Sequence, residues 1–166
     1  PSGADVFDNL ELATLLLEAG ADPNLQVPVL DNQGALHFAV TNGSEAMVRL
    51  LLDADAFPDL ANALGYTPLL DVCGHGDGLD DIAIARQLLE AGANVNHASN
   101  AYNSYAWTPL MEAARTGQVE MVQFLLGVEG VDLAARNTEG LTTLGAAREN
   151  DFPDVVALLE AAGVPD

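Results

Sequence analysis

Apolar residues recur at helical spacing in short runs, and each run stops at a glycine or at a residue standing in for one. Four of these runs are MVRLLLDAD, ARQLLEAG, MVQFLLGVEG and VVALLEAAG, and a fifth, ATLLLEAGADPN, opens the chain at Ala13 to Asn24. Around Val119 to Leu126, the residues Met121, Val122, Leu125 and Leu126 fall on one helical face, which predicts an amphipathic helix. A shorter apolar segment precedes each of the four later runs. GYTPLLDVCGHG (Gly65 to Gly76) returns as AWTPLMEAARTG (Ala106 to Gly117), with looser copies at QGALHFAVTNG (Gln33 to Gly43) and LTTLGAAREND (Leu141 to Asp151). Thr67 and Thr108 are suited to cap a helix through their hydroxyls, and Pro68 and Pro109 suit its first position, where no amide donor is needed. Short helices are therefore expected after them, such as Pro109 to Thr116, broken at Gly117. Gly20, Gly92 and Gly163 sit just past the second helices, where a left-handed residue ends the helix, and Asp55 takes that place in the second unit. The stretches between units, such as Ala93 to Trp107, are expected to turn as extended fingers.

Aligning the copies on one leucine gives Leu36, Leu69, Leu110 and Leu144, with spacings of 33, 41 and 34 residues. The unit is 33 residues with insertions, placed in GDGLDD, in HASNAYNS and, for a single residue, in GVEG. Self-similarity at a fixed period of this size means stacked helical units, each burying its apolar face against the next. A 33-residue unit carrying TPL, an AA-x-x-G step and LL-x-x-GA-x-x-N resembles the ankyrin repeat. Good matches are Thr67-Pro68-Leu69, Thr108-Pro109-Leu110 and Leu36-His37-Phe38-Ala39. The chain departs from the pattern at Gly34-Ala35 for Thr-Pro, at Leu70, Met111 and Gly145 for the usual His, at Thr143 for Pro, and at Arg148 for a small inward alanine.

The resemblance implies an all-α ankyrin-repeat solenoid of stacked helix-turn-helix units with β-hairpin-like fingers. It would form one domain over 1–166: a partial first repeat (about 1–28), a second (29–61), a third with insertions (62–102), a fourth (103–136) and a C-terminal fifth (137–166). It also implies a structural hydrogen bond at His37, and it puts Asn24 and Asn96 where some ankyrin repeats carry hydroxylated asparagines, a position equally served by a turn-stabilising amide. His97 is expected on the long finger, free in solvent. The short run before Asp8 and the missing initiator Met point to a segment of a longer protein or to an abbreviated first cap.

Charge changes the picture next. Twenty-five acidic residues face five arginines and no lysine, for a formal net charge of -20. Such a field repels phosphate backbones and argues against nucleic-acid binding. A basic protein partner steered in over long range, or a solubilising surface from an acidic proteome, would each account for it. No apolar run reaches membrane-span length, and the single cysteine, Cys73, fits a reducing compartment, so a cytoplasmic setting is expected.

Little in the chain suggests reaction chemistry. Asp71, Cys73, His75, Asp77, Asp80 and Asp81 are six potential metal ligands, yet zinc sites use two Cys/His pairs and the calcium-loop spacing fails. An enlarged turn between helices, with Asp80 or Asp81 capping the second, accounts for the segment. Gly74, Gly76 and Gly78 imitate a nucleotide loop, but Leu79 stands where the third fingerprint glycine belongs and a helix, not a strand, precedes. No catalytic residue, metal or cofactor is expected.

The resemblance places partner binding on the finger tips and the exposed face of the first helices. Here those places hold Leu64, Tyr66, Asp71 and His75, then Tyr105, Trp107, Glu112 and Arg115, then Glu139, Leu141, Glu149 and Asn150, with Tyr102 in the inserted part of the long finger. An exposed aromatic stripe of this kind marks a partner site, and such anchors contribute about 2 kcal/mol or more each. The expected function is a non-catalytic protein-interaction module, monomeric, whose partner carries basic flanks. Tyr66, Tyr105, Trp107 and Leu141 would anchor it, and Glu112 and Arg115 would orient it. On this reading, Trp107→Ala weakens capture and leaves the melting temperature nearly unchanged. Competing readings are a regulatory or targeting segment of a larger enzyme and an acidic mimic of nucleic acid.

Overall fold

The computed structural model describes residues 5–75, 79–99 and 105–166, with all their side chains except those of 5–8 and 79–80. Helix α1 (Asp5–Glu18) is followed by a small antiparallel ribbon, β1 (Gln26–Val27) and β2 (Gln33–Gly34), around a 3-10 turn at Pro28–Leu30. Four helix pairs come next: α2 (Ala35–Thr41) with α3 (Glu45–Asp53), α4 (Pro68–His75) with α5 (Leu79–Glu90), α6 (Pro109–Thr116) with α7 (Val119–Leu126), and α8 (Thr143–Glu149) with α9 (Pro153–Ala161). Each pair packs internally. The first helices stack as α2, α4, α6 and α8, and the second helices as α1, α3, α5, α7 and α9. This is the all-α repeat solenoid implied by the 33-residue unit.

Local chemistry explains the element boundaries. The Thr67, Thr108 and Thr142 hydroxyls accept hydrogen bonds from the backbone amides of Leu70, Met111 and Gly145, each three residues on. Unit two has Gly34 in place of that threonine, and the Nδ1 of His37 accepts the Gly34 amide instead, at 3.2 Å. Its Nε2 then carries the proton and donates to the carbonyl of Tyr66 at 3.0 Å, tying unit two to the next finger. Burial lowers the His37 pKa against that hydrogen bond, which keeps the ring neutral. Asp55 and Asp151 take the left-handed conformation, at φ 62° and 64°, where the other units use glycine. Gly117 is constrained further: it sits at φ 79°, and a Cβ there would lie 2.4 Å from the Phe152 ring.

Leu36, Leu69, Leu110 and Leu144, the residues used for alignment, are all buried and form one spine through the first-helix row. The second-helix row has its own leucine ladder. Leu51, Leu88, Leu125 and Leu159 are at most 4% exposed, whereas the register-equivalent Leu16 on α1 is 52% exposed.

The fingers are locked to one another by asparagines. Asn24 Nδ2 donates to the Asp55 carbonyl and its Oδ1 accepts the Phe57 amide. Asn96 repeats this with the Gly130 carbonyl and the Asp132 amide. Asp59 holds the same place between them and accepts the Asn94 amide at 3.0 and 3.1 Å, but a carboxylate has nothing to donate in return.

Two sequence expectations change. Asp80 and Asp81 do not cap the helix after the third unit's first insertion; they lie inside α5, which begins at Leu79 and runs longer than α3, α7 and α9. Acidic residues still suit that first turn, where the helix dipole is positive. His97 is not free in solvent, because its Nε2 lies 3.1 Å from the Gly65 carbonyl of the neighbouring finger. Residues 76–78 and 100–104, parts of the two larger insertions, lie outside the described residues, and with them Asp77 and Tyr102.

Candidate functional site

The three later fingers return to the array through a similar local device. Asn62 Oδ1 accepts the amides of Leu64 and Tyr66, and Asn137 Oδ1 accepts those of Glu139 and Leu141. In the long finger the Ser99 hydroxyl accepts the Trp107 amide, and the Ser99 amide donates to the Trp107 carbonyl. Tyr66, Trp107 and Leu141 are therefore register equivalents, set down at the junction of finger and first helix. Asn62, Ser99 and Asn137 were not singled out from sequence. Their signal is a short polar side chain four residues ahead of the equivalent position, or eight where the finger is longer.

The aromatic stripe expected from the sequence is only partly open. Trp107 is 9% exposed and packs on Met111 and Ala146, with Ala135 and Leu141 against it. Tyr105, at 39% exposed, stacks on the indole with ring centroids 5.4 Å apart and planes inclined by 30°. Leu64, Tyr66 and Leu141 are half-buried, and Glu149 is exposed. The indole was expected in solvent. It is instead sealed because a second apolar cluster forms on the finger side of α6 and α8, and ring stacking covers its remaining face. Leu141 reaches this cluster because residue 145 is glycine, where a Cβ would stand 2.7 Å from Leu141 Cδ1.

Glu112 also departs from expectation. It is 3% exposed, not solvent-facing, and both its oxygens are engaged by Arg115, Oε2 by Nε at 3.1 Å and Oε1 by Nη2 at 2.6 Å. The Arg115 guanidinium in turn lies 5.6 Å from the centroid of the Trp107 ring, within cation–π range. Gly74 in α4 makes room for this pair, since a Cβ there would be 3.1 Å from Glu112 Oε1. From sequence, Gly74 was grouped with Gly76 and Gly78 in a rejected nucleotide loop, although a glycine inside a helix costs about 1 kcal/mol and so signals close approach.

Beside Glu112 sits a second acid, Asp71, likewise buried rather than solvent-facing, with Oδ2 lacking any hydrogen-bond partner. Burial pushes its carboxyl up to about 6; His75 opposes that shift and Glu112 adds to it. The Tyr66 phenol is raised by burial, with Glu112 and Asp71 reinforcing the effect and Arg115 opposing it. Burial, with Glu112 and Asp81 adding, also raises the Cys73 thiol well above its ordinary value, which leaves it protonated and unreactive within the core. Among the described residues, no group of three or more His, Cys, Asp or Glu side chains converges as metal ligands would.

In front of these groups lies a surface concavity of about 430 Å³. It is lined by Tyr105, Trp107, Arg115, Glu139, Gly140, Leu141, Glu149 and Asn150. The structure thus brings together the expected binding residues of units four and five, while Leu64 and Tyr66 are not part of that lining. The arrangement can hold a side chain by ring contact and charge. Among the described residues, no helix is long and apolar enough to cross a membrane.

Comparison with known proteins agrees with the fold. The family described as ankyrin repeats (3 copies) matches residues 4–99 and 80–164. The chain is 34% identical over 117 residues to the ankyrin repeat and KH domain-containing protein mask-1 of Caenorhabditis elegans, covering 70% of this chain and 4% of that protein. It is 29% identical over 166 residues to the putative ankyrin repeat protein YahD of Escherichia coli strain K12, covering 96% of this chain and 77% of YahD. With human ankyrin repeat and SOCS box protein 16 it shares 35% identity over 170 residues, or 95% of this chain and 36% of that protein.

Proposed function

This chain belongs to the ankyrin-repeat family, and we propose that it is a protein-binding module whose partner seats in the concavity between its fourth and fifth units. Ankyrin repeats generally serve as protein-interaction modules, and fold alone goes no further than that. The observation that carries the finer reading is the 430 Å³ concavity, which gathers Tyr105, Leu141 and Glu149 around a rigid floor of Trp107, Arg115 and Glu112. A floor fixed by stacking, a half-buried ion pair and close packing loses little freedom on binding, and such preorganisation favours affinity. The burial of Trp107 assigns it to that floor, and the surface contact passes to Tyr105 and the open side of Leu141. The net charge of -20 supports a partner with basic flanks, attracted before contact.

The test is affinity capture from the native lysate, with wild-type protein and a Tyr105→Ala/Glu149→Ala variant as parallel baits. The reading expects at least one protein retained by the wild type and lost with the variant, whose melting temperature stays close to wild type. If every captured protein is retained equally by both baits, the concavity is not the docking site.

A further inference from the structure

The geometry points to a long cationic side chain, an arginine of the partner, as the group that fills this concavity, lying on the ring of Tyr105 between the carboxylates of Glu139 and Glu149. This inference rests on the binding role proposed above and names the chemistry that role would recognise. Charge is its first support. Glu139 and Glu149 line the concavity and are exposed, so their charges are not spent on a buried partner. Arg115, the cation within the lining, is neutralised by its two-point contact with Glu112. Two further arginines lie in the fourth and fifth units. Arg136 is held outside the lining by the carbonyl oxygens of Gly140 and Asp166, which fix its position without cancelling its charge, and Arg148 is paired with the carboxylates of Glu160 and Asp166. The lining's own side chains therefore carry two carboxylates beyond the Arg115–Glu112 pair, and a cation is the group that complements them.

Shape is the second support. A guanidinium already rests on an aromatic ring here, that of Arg115 over Trp107, with a carboxylate engaging its edge. Tyr105 stacks on that indole and, at 39% exposed, is the more open of the two rings. A second guanidinium on Tyr105, reached by Glu139 or Glu149, would repeat that arrangement one ring further out. A planar guanidinium can stack and donate hydrogen bonds to carboxylates along its edge at the same time, which an ammonium group cannot. Leu141 then covers the aliphatic stem.

The experiment is selection of a displayed library of random twelve-residue peptides on the wild-type protein, with counter-selection on Tyr105→Ala. The inference expects the surviving peptides to share an arginine. Its replacement by citrulline, which keeps the shape and removes the charge, should weaken binding at least tenfold. Glu139→Lys/Glu149→Lys should abolish binding, and Glu90→Lys/Glu129→Lys, outside the lining, should leave it within about twofold. Surviving peptides that lack a basic residue, or that tolerate citrulline, overturn the inference and leave the docking site standing. Equal loss with both lysine pairs overturns it in favour of the general acidic field. If no peptide depends on Tyr105, the inference and the docking site fall together.

Discussion

The outer row of second helices and the inner face of first helices and fingers obey different rules. Along the outer row one residue type recurs in one environment: Leu51, Leu88, Leu125 and Leu159 occupy equivalent, fully packed positions. Across the inner face, equivalent positions hold different chemistry. His37, Leu70, Met111 and Gly145 follow the aligned leucines in turn, and Gln33, Tyr66, Trp107 and Leu141 stand at the finger junctions. The outer row is where neighbouring units must be interchangeable for stacking to propagate. The inner face is free to vary because its neighbours meet through backbone hydrogen bonds and through side chains that adapt to one another. Individual character therefore accumulates on the inner face, around Trp107, Glu112 and Arg115.

The contrast can be broken at several places. Leu125→Ala, in the middle of the outer row, should cost about 2–5 kcal/mol by denaturant unfolding, because neighbours on two sides cannot both collapse into the cavity. On the inner face, Trp107→Ala should cost about 3 kcal/mol, since it opens the Met111–Ala146 cluster. A melting temperature unchanged by that substitution would return the indole to the surface.

Asp71→Asn tests the buried acid. The folded carboxyl holds its proton up to about 6 against an ordinary 3.8, so the stability it confers is complete below 3.8 and is lost as pH rises through about 6. The variant should therefore be more stable than wild type near neutral pH, on the order of 1–2 kcal/mol, with the gain vanishing in acid. Equal effects at both ends of the titration would show that the charge is not what the site resists.

The finger clamps offer a paired measurement of smaller size. Asn96→Ala removes two bonds between units and should cost about 1 kcal/mol. Asp59→Asn supplies the donor missing from the middle clamp, aimed at the Gly92 carbonyl, and should gain about 0.5–1 kcal/mol. Leu16→Ala should have the smallest effect, under about 1 kcal/mol, because water already reaches half of that side chain. A cost matching that of Leu125→Ala would mean that α1 is covered in solution.

Much of the architecture was legible because it is written five times. The helix over Pro109–Thr116, its Thr108 cap, the break at Gly117 and the stand-in at Asp55 are each decided within a few residues by capping and backbone geometry. The His37 hydrogen bond followed from the family's pattern and links two units as that pattern implies. The candidate site was legible as a set of places but not as a set of exposures. Gly74 and Gly145 looked like a loop glycine and a missing histidine, and their purpose depends on Glu112 and Leu141, which lie elsewhere in the chain.

The sequence by itself determined the period, the helices over Pro109–Thr116 and Val119–Leu126, and the apolar spine of Leu36, Leu69, Leu110 and Leu144, because those follow from chemistry local to each repeat. Only the tertiary structure decided that Trp107 and Glu112 turn inward, that Tyr105 is the more open ring of its stacked pair, and that Asp71 is buried with an unpartnered oxygen. Exposure of a large side chain depends on what neighbouring units place against it, and that neighbour is chosen by stacking rather than by adjacency along the chain.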